Sequence, residues 1–450
     1  MTILNSRLET RESERLHQQA VKHAPLGVHG NGRSYEPFPL YFTRGAGARL
    51  WDSDGNEYLD LHGGLGPYVL GYNHPEVLQA AIETLTSQGP HLGLPHPGEV
   101  RLCDELVDLI PCAEMAVLCG GGGSDPCYHS IRLARAATGR KKIIKFEGGQ
   151  NGWADPLSMS ITPGPDEVGS YERPNTVASP GTLPEVVANT IVLPVNDAAV
   201  LERFLEREGR EIAAIIIEPV MQGLGCVPLE PGYPELLRQL CDHYGIVLIF
   251  DEIQTGFRHD LRGAQKLLGV TPDLATFGKA MANGFVISAL TGRRSLMKML
   301  QPEGPVHFSG TFNANVLGVN TSLKTIEILR RGDGAIHRRL FELGRMLTDG
   351  VNEAARQHGV KARLQSFGSV WALYFTDKPV RNYRDLMPLR SGRMAMLRRT
   401  FRDHMMRNGI FLNAHAGNRS FLSAAHSDDD IAQIVDTIAR FFAEHQTEMR

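Results

Sequence analysis

The stretch YGIVLIFDEIQTGFR, from Tyr244 to Arg258, is the most informative part of the sequence. Its run of apolar and β-branched residues is typical of a strand that is buried on both faces of a parallel sheet. The run nevertheless ends in Asp251 and Glu252, two carboxylates that resist burial. We therefore expect a group that requires a carboxylate near the end of this strand.

Composition limits the class of protein. The chain has 450 residues, a formal net charge of -3 and no block of like charges, so it can bury a large core and fill two or three domains. It carries neither the basic footprint of a nucleic-acid-binding protein nor a polybasic membrane patch. The charged N-terminal segment lacks the apolar core of a signal peptide, and no segment approaches the ~18 uninterrupted apolar residues that span a bilayer. We expect a cytoplasmic protein that binds neither nucleic acid nor membranes.

Cysteine and histidine spacing gives no metal signal. The six cysteines have no C-x-x-C spacing, so reduced core thiols are favoured over disulfides or zinc ligands. The 17 histidines form no H-x-x-x-H pair with an acidic partner. We predict that the protein binds no metal.

The middle of the chain alternates between short apolar runs and helical patterns. This alternation predicts an α/β fold, with a mostly parallel central sheet and helices on both faces. Helical segments such as YHSIRLARAATG and PELLRQLCDHYG separate the predicted strands. These strands are residues 115–119, 142–146, 190–195, 213–219, 246–252, 274–279 and 286–292.

Three regions are predicted. Residues 1–65 form an N-terminal segment with a helix and a small antiparallel hairpin around an Asp-Gly turn. Residues 66–330 form the large α/β domain, and residues 331–450 form a smaller α+β domain to which the N-terminal segment also contributes. In that domain Ser427, followed by three aspartates, predicts the start of a last helix. Residues 156–184, rich in Pro, Gly and Ser, form a loop long enough to be a candidate lid.

Open parallel sheets bind ligands outside the carboxyl ends of their strands. That rule brings Glu218, Asp251 and Lys279 to one edge, since each ends a predicted strand. The glycine run CGGGGS, residues 119–124, follows another strand and opens a helix, which is an arrangement that can cradle a phosphate. It lacks the Lys-Ser/Thr ending of a P-loop and the spacing of the dinucleotide fingerprint, which argues against ATP and NAD. By itself the run would be interpreted as a tight strand-to-helix turn.

A phosphate cradle, a buried carboxylate and a lysine match the needs of pyridoxal phosphate, which has a phosphate, a ring nitrogen and an aldehyde. Asp251 beside the ring nitrogen would keep that nitrogen protonated, because each charge offsets the desolvation of the other. Lys279 would hold the aldehyde as a Schiff base and then serve as the general base. The alternative for Lys279 is a solvent-exposed lysine at a strand end.

The sequence resembles the class III, fold-type I pyridoxal-phosphate aminotransferases from about Gly27 to the last helix. It is most similar to the branch that contains glutamate-1-semialdehyde aminomutase and the β-amino-acid aminotransferases. DEIQTG followed by Lys279 is the most specific part of the resemblance. The other matching stretches are LWDSDGNEYLDL, VLGYNHPEV, SIRLARAATGRKKIIKFEGG, IIIEPVMQG, PDLATFGKAMANG, FSGTFNAN and FLSAAHSDDDI.

The resemblance implies roles for residues around the cofactor ring. Lys279 would form the Schiff base, and Asp251 would contact the ring nitrogen. Ile253 would pack against one face of the ring, and Gln254 would hydrogen-bond the ring hydroxyl. Glu218 would lie near the cofactor.

It also implies a phosphate site that two chains share. Gly123 and Ser124 occupy the positions that bind the phosphate through backbone and side chain. Thr311, in GTFNAN, occupies the position through which the neighbouring subunit completes the site. A homodimer with a shared active site is therefore implied.

The remaining implied contacts are with the substrate, and here the sequence departs from the family pattern. Arg33 falls where relatives place the arginine that takes a substrate carboxylate, and Arg419 is a second candidate. The family's Tyr-His-Gly is replaced by Gln150, Asn151 and Gly152. We expect Gln150 to lie on the cofactor ring in place of the aromatic residue and Asn151 to line a more polar substrate pocket.

These residues predict a transaminase that moves an amino group from a donor to a small keto or aldehyde acceptor. A second hypothesis keeps the cofactor but runs an intramolecular amino shift or a racemisation. Leu65 before Gly66, where aminomutases carry an aromatic residue, and Gln254, where they commonly carry methionine, argue against a true aminomutase. A third hypothesis is a non-catalytic pyridoxal-phosphate-dependent regulator, which the retention of both Lys279 and Asp251 disfavours.

Overall fold

The computed structural model describes residues 8–412 and 419–450. They form two compact units. The first contains the described residues up to His74, together with Arg339–Pro379 and the described part of Pro388–Arg450. The second contains Pro75–Arg338 and Val380–Met387. The predicted boundaries, at 65/66 and 330/331, differ from this division by nine residues or fewer and did not include the short return of the chain at 380–387.

The strands were assigned within the described residues. In chain order they are β1 (Phe42–Ala46), β2 (Arg49–Asp52), β3 (Glu57–Asp60), β4 (Met115–Cys119), β5 (Lys142–Phe146), β6 (Thr190–Leu193), β7 (Ile212–Ile217), β8 (Val220–Met221), β9 (Val227–Pro228), β10 (Val247–Asp251), β11 (Leu274–Phe277), β12 (Ser288–Gly292), β13 (Arg363–Phe367), β14 (Val370–Tyr374), β15 (Ile410–Phe411) and β16 (Ser420–Phe421).

The α-helices were assigned in the same way. In chain order they are α1 (Arg11–Ala20), α2 (Pro75–Ser87), α3 (Pro97–Leu109), α4 (Ser124–Thr138), α5 (Pro184–Ala188), α6 (Ala198–Glu208), α7 (Tyr233–Tyr244), α8 (Ala264–Leu268), α9 (Arg294–Met297), α10 (Val316–Arg330), α11 (Ala335–His358), α12 (Tyr383–Leu386), α13 (Gly392–Arg407) and α14 (Asp428–Glu444).

The second unit is built around a sheet with the strand order β4-β12-β11-β10-β7-β5-β6. All pairings in it are parallel except the two made by β12, which runs antiparallel to β4 and β11. Every residue of β7 and β10 is buried, which explains why these strands read as continuous apolar runs. The mostly parallel sheet and each of its predicted strands are confirmed.

Several strand ends differ from the prediction by one or two residues, and two of these differences concern residues of the site. β7 ends at Ile217 rather than at residue 219, and β11 ends at Phe277 rather than at Lys279. Lys279 instead begins a short 3-10 turn. The reason is that Glu218 and Lys279 lie past the last ladder hydrogen bonds, where the chain turns out of the sheet and polar side chains can reach a ligand.

The first unit contains two small sheets, with the orders β1-β2-β3-β15 and β13-β14-β16. The predicted hairpin is confirmed as β2 and β3, which pair antiparallel. The predicted helix start is also confirmed, because Oγ of Ser427 accepts the Asp430 N–H at 3.1 Å at the start of α14.

The predicted lid, residues 156–184, is described throughout and has no α-helix or strand before α5. Its middle is fixed by α12 of the same unit. Tyr383 Oη donates to the Pro163 carbonyl at 2.6 Å, and Arg384 donates to the carbonyls of Val168 and Gly169 at 2.9 and 3.0 Å. These bonds favour a fixed wall over a freely moving lid.

Among the described residues, no helix is both long and apolar enough to cross a membrane. That part of the chain also has no group of three or more His, Cys, Asp or Glu residues placed to hold a metal ion.

Candidate active site

Asp251 ends β10 and is buried, with 4% of its surface exposed. Its Oδ2 accepts the Asn151 side-chain amide at 2.9 Å, and its Oδ1 accepts the Ile253 N–H at 3.1 Å. Burial raises the pKa of Asp251, while the Asn151 hydrogen bond, the Ile253 N–H and the charge of Lys279 oppose that rise. A cationic group beside this buried carboxylate would therefore stabilise its ionised form.

Lys279 lies beside Asp251 because of the strand register. Asp251 pairs with Thr276 in the parallel neighbour β11, and the chain turns just beyond Thr276. Lys279 is only partly exposed, and its backbone has φ of +44°, a left-handed conformation that costs energy for a residue with a Cβ. Such strain is concentrated at functional sites, where the surrounding structure maintains it.

The glycine run packs closely on the strand ends. A Cβ added at Gly123 would lie 2.6 Å from Cγ2 of Ile253, so only glycine fits there. Ser288, at the start of β12, donates to the carbonyls of Gly121 and Gly122 at 3.0 and 3.2 Å. The backbone N–H groups at the start of α4 are thus held in place beside Asp251, where they can bind a phosphate.

Ser124 is the first residue of α4, and its Oγ accepts the Trp153 N–H at 3.2 Å. Gly152 lies against the same hydroxyl, since an added Cβ would be 2.8 Å from Oγ of Ser124. The predicted phosphate residue is therefore in contact with the segment that carries Gln150 and Asn151.

Glu218 holds that segment through its backbone. Its two oxygens accept the N–H groups of Gln150 and Gln222, at 3.0 and 3.1 Å. The side chain of Gln150 is exposed, whereas Asn151 is buried and donates to Asp251. Asn151, predicted to line the substrate pocket, is thus bound to the carboxylate expected at the cofactor ring.

The predicted substrate arginines lie in the first unit. Burial lowers the pKa of His62 to about 4, and the charges of Arg419 and Arg33 contribute to this shift. Arg33 is exposed, and Arg419 is half-buried. Two arginines that are far apart in the sequence therefore act on the same imidazole.

Residues 31–442 match the family described as aminotransferase class-III. The chain belongs to this family. It is 36% identical to glutamate-1-semialdehyde 2,1-aminomutase from Pelotomaculum thermopropionicum, over 95% of this chain and 96% of that protein. It superposes on an omega-transaminase from Sphaerobacter thermophilus with a TM-score of 0.89 and 30% identity, covering 96% of this chain and 97% of that one. A transaminase with pyridoxal phosphate bound gives a TM-score of 0.86 and 26% identity, covering 98% and 100%.

Membership of the class III aminotransferases makes the protein a pyridoxal-phosphate-dependent enzyme of fold type I. The expected resemblance, fold, enzyme class and cofactor are confirmed, and the non-catalytic regulator is disfavoured. The residues present fit the cofactor, because a Cβ at position 123 would meet Ile253, so the glycine lets the backbone come close to the site, and a buried carboxylate lies near a lysine.

The remaining predicted cofactor residues of this aminotransferase differ in burial: Ile253 and Gln254 are buried, and Thr311 is exposed. Ile253 and Gln254 follow Asp251 directly, and each is only 7% exposed. Thr311 is exposed on the segment whose Asn313 accepts the Gly120 N–H at 3.0 Å. The phosphate loop and the Thr311 segment are thus connected within one chain.

Sequence reasoning missed two residues, Lys145 and His62. Lys145 is fully buried on β5, and its Nζ donates to the carbonyls of Gly149, at 3.0 Å, and Met159. Burial lowers the pKa of Lys145 to about 7. The signal was a lysine between apolar residues in KIIKF. His62 had no comparable signal, because only the fold brings it near the two arginines.

Proposed function

We propose that this class III aminotransferase transfers an amino group from an amino donor to a small keto or aldehyde acceptor, with Lys279 as the residue that binds the cofactor and moves the proton. The observation that carries the proposal is the placement of Asp251 at the end of β10 and of Lys279 just after the adjacent parallel strand β11, with the Lys279 charge acting on Asp251. The strained backbone of Lys279 supports it further.

When bound, pyridoxal phosphate would supply an electron sink for the substrate carbon that carries the amine. The Asp251 carboxylate would offset the positive charge of the ring nitrogen. The Nζ of Lys279 would hold the cofactor and, as a free amine, would take a proton from the substrate carbon and return it. The N–H groups at Gly123 and Ser124 would hold the phosphate. Ile253 would pack against the ring, Gln254 would hydrogen-bond its hydroxyl and Gln150 would lie on it.

A carboxylate on the substrate is proposed to bind Arg33 and Arg419. Support comes from their shared effect on His62, which burial and both positive charges keep neutral. A neutral imidazole can donate a hydrogen bond to a carboxylate without adding a third positive charge. An acidic amine is therefore the substrate class that this proposal favours.

The active form is proposed to be a cytoplasmic homodimer. Thr311 is exposed, and Phe312 next to it is also exposed, with 61% of its surface accessible. A second copy that covered this segment would bring Thr311 to the phosphate site of its partner. Sedimentation of the purified protein tests the dimer directly.

An intramolecular amino shift is the second candidate, favoured by the 36% identity to an aminomutase. Leu65 and Gln254 support the transaminase instead, because they replace residues that the aminomutases carry. The two reactions differ in one requirement: an aminomutase turns over without any added amino acceptor.

The test compares the absorption of the pyridoxal-phosphate-loaded wild-type protein with that of Lys279→Ala and of Lys266→Ala, an exposed lysine outside the site. We expect a cofactor band that depends on Lys279, is unaffected by the Lys266 change and bleaches with particular amines. A band that no amine bleaches, together with turnover in the absence of an acceptor, would contradict the transaminase and favour the amino shift.

A further inference from the structure

Four donors surround the Asp251 carboxylate within the second unit. Asn151 donates to Oδ2, and Ile253 N–H and Thr276 Oγ1 donate to Oδ1, at 3.1 and 3.4 Å. The Cys127 thiol also hydrogen-bonds the carboxylate. Asn151 is the one among them that comes from the segment after β5, which also reaches Glu218 and the phosphate-binding helix.

That segment is fixed on both sides, so the Asn151 amide has little freedom to turn away. The Gly149 N–H donates to the Phe146 carbonyl at 3.0 Å, and the Gly149 carbonyl accepts from Lys145. The next N–H, of Gln150, is held by Glu218 at 3.0 Å. Gly223 packs so closely that an added Cβ would lie 2.0 Å from the Gly148 carbonyl oxygen. Asn151 is only 3% exposed.

We propose that Asn151 is a positioning residue of the cofactor site, which keeps Asp251 ionised and orients its carboxylate toward the ring nitrogen. This proposal rests on the proposed function and replaces the substrate role predicted for Asn151. The physical reason is that an amide N–H stabilises the charged form of a carboxylate, and an amide has no proton that titrates in the working pH range.

The effect of Asn151 on Asp251 supports this role. Burial, the largest effect, raises the pKa of Asp251, and the Asn151 hydrogen bond is the strongest influence in the opposite direction. The titratable groups that also act on Asp251 are Lys279 and Cys127, and both lower its pKa. Without the amide, the buried carboxylate would bind a proton more readily and would no longer offset the charge on the ring.

Exchanging the side chains of Asn151 and Asp251 tests the proposal. Asn151→Asp places two carboxylates together, so the apo protein should unfold at a lower urea concentration, and this deficit should shrink as the pH falls and one carboxylate is protonated. Adding Asp251→Asn restores one amide and one carboxylate, so the apo stability should recover. The cofactor dissociation constant should rise by at least about tenfold in Asn151→Asp and should stay raised in the exchanged protein.

The matched control is Asn320→Asp, an equivalent change in the same unit at an amide that donates to Thr84 at 3.0 Å. Asn320→Asp should change stability by the same amount in the wild-type protein and in the Asp251→Asn variant, because mutations at separate sites act additively. Unfolding of the apo protein and titration with pyridoxal phosphate are measured on wild type, the single variants and both double variants, from about pH 6 to about pH 9.

The outcomes separate the inference from the proposed function. If Asn151→Asp leaves either apo stability or cofactor affinity unchanged, or if its stability effect is independent of residue 251, the inference is overturned. If the effect depends on residue 251 but the wild-type protein forms no Lys279-dependent cofactor band, the proposed function fails while the coupling between Asn151 and Asp251 stands.

Discussion

Asp251 and Glu252 are adjacent carboxylates with entirely different partners. Asp251 accepts from Asn151 and Ile253, beside Lys279. Glu252, which is fully buried, accepts the backbone N–H groups of Ala264 and Gln265, at 2.5 and 3.0 Å, and the hydroxyl of Thr255 at 3.0 Å. Glu252 directly follows the last residue of β10, along which successive side chains point to opposite sides, and this explains why one acid serves the site and the other the fold.

Glu252→Gln is predicted to lower stability without affecting cofactor binding. The new amide cannot accept from both backbone N–H groups at the start of α8, so a buried donor loses its partner at a cost of about 1 to 3 kcal/mol. Asp251→Asn should also lower apo stability, because donors face both oxygens of Asp251, but it should weaken cofactor binding as well, since it removes the charge beside the ring nitrogen. Urea unfolding and cofactor titration of both variants measure the two effects. Equal loss of cofactor affinity in the two variants would contradict this division of roles.

Arg384→Ala is predicted to destabilise the second unit. Arg384 donates from Nε to the oxygens of Glu147 at 3.1 and 2.9 Å, and the Glu147 side chain is only 1% exposed. Removing one partner of a buried pair costs about 3 to 5 kcal/mol. The carbonyls of Val168 and Gly169 would also lose their hydrogen bonds to Arg384, so the loop around them should become sensitive to proteases. Urea unfolding and limited proteolysis measure these changes.

The loss should also depend on pH. Burial raises the pKa of Glu147, and Arg384 opposes that rise. Without Arg384 the folded-state pKa rises further above the unfolded value, so the ionised carboxylate destabilises the fold above the unfolded pKa. The deficit should therefore be larger at about pH 8 than at about pH 5. Arg381→Ala, an exposed neighbour, is the control and should show neither effect.

Gly123→Ala is predicted to weaken cofactor binding. The added methyl group would lie 2.6 Å from Ile253 Cγ2, and overpacking of this kind costs about 1 to 3 kcal/mol. The dissociation constant should rise by roughly one to two orders of magnitude. Gly122→Ala is the matched control, because no heavy atom lies within 4 Å of its added Cβ. Equal affinities for the two variants would show that the Ile253 contact is unimportant.

Arg33→Gln and Arg419→Gln are predicted to affect substrate selectivity. Each removes a charge-assisted hydrogen bond, worth about 1.5 to 3 kcal/mol, from an acidic substrate. The KM for an amine that carries a carboxylate should rise by roughly one to two orders of magnitude in each variant. An amine without a carboxylate should react as with the wild-type enzyme, and Lys22→Gln, at an exposed site of the same unit, should change neither. Equal losses for both amines would argue against carboxylate binding.

The sequence by itself determined the sheet of the second unit and the placement of its main polar residues. Runs such as IVLIFDE and KIIKF identify buried strands because burial on both faces requires continuous apolar residues. The rule that ligands bind at carboxyl strand ends then brought Asp251 and Lys279 together. The strand ends at Ile217 and Phe277 were less exact, because polar residues after a strand look the same whether or not they still pair.

Only the tertiary structure decided which partners the polar groups have. Asn151 was placed in the substrate pocket, and its contact with Asp251 joins residues that are 100 positions apart. The same is true of Arg384 and Glu147, which are 237 positions apart, and of the two arginines near His62. A hydrogen bond depends on distance and angle in the folded chain. Strand periodicity specifies which side of the sheet a residue faces, but not which distant segment supplies its partner.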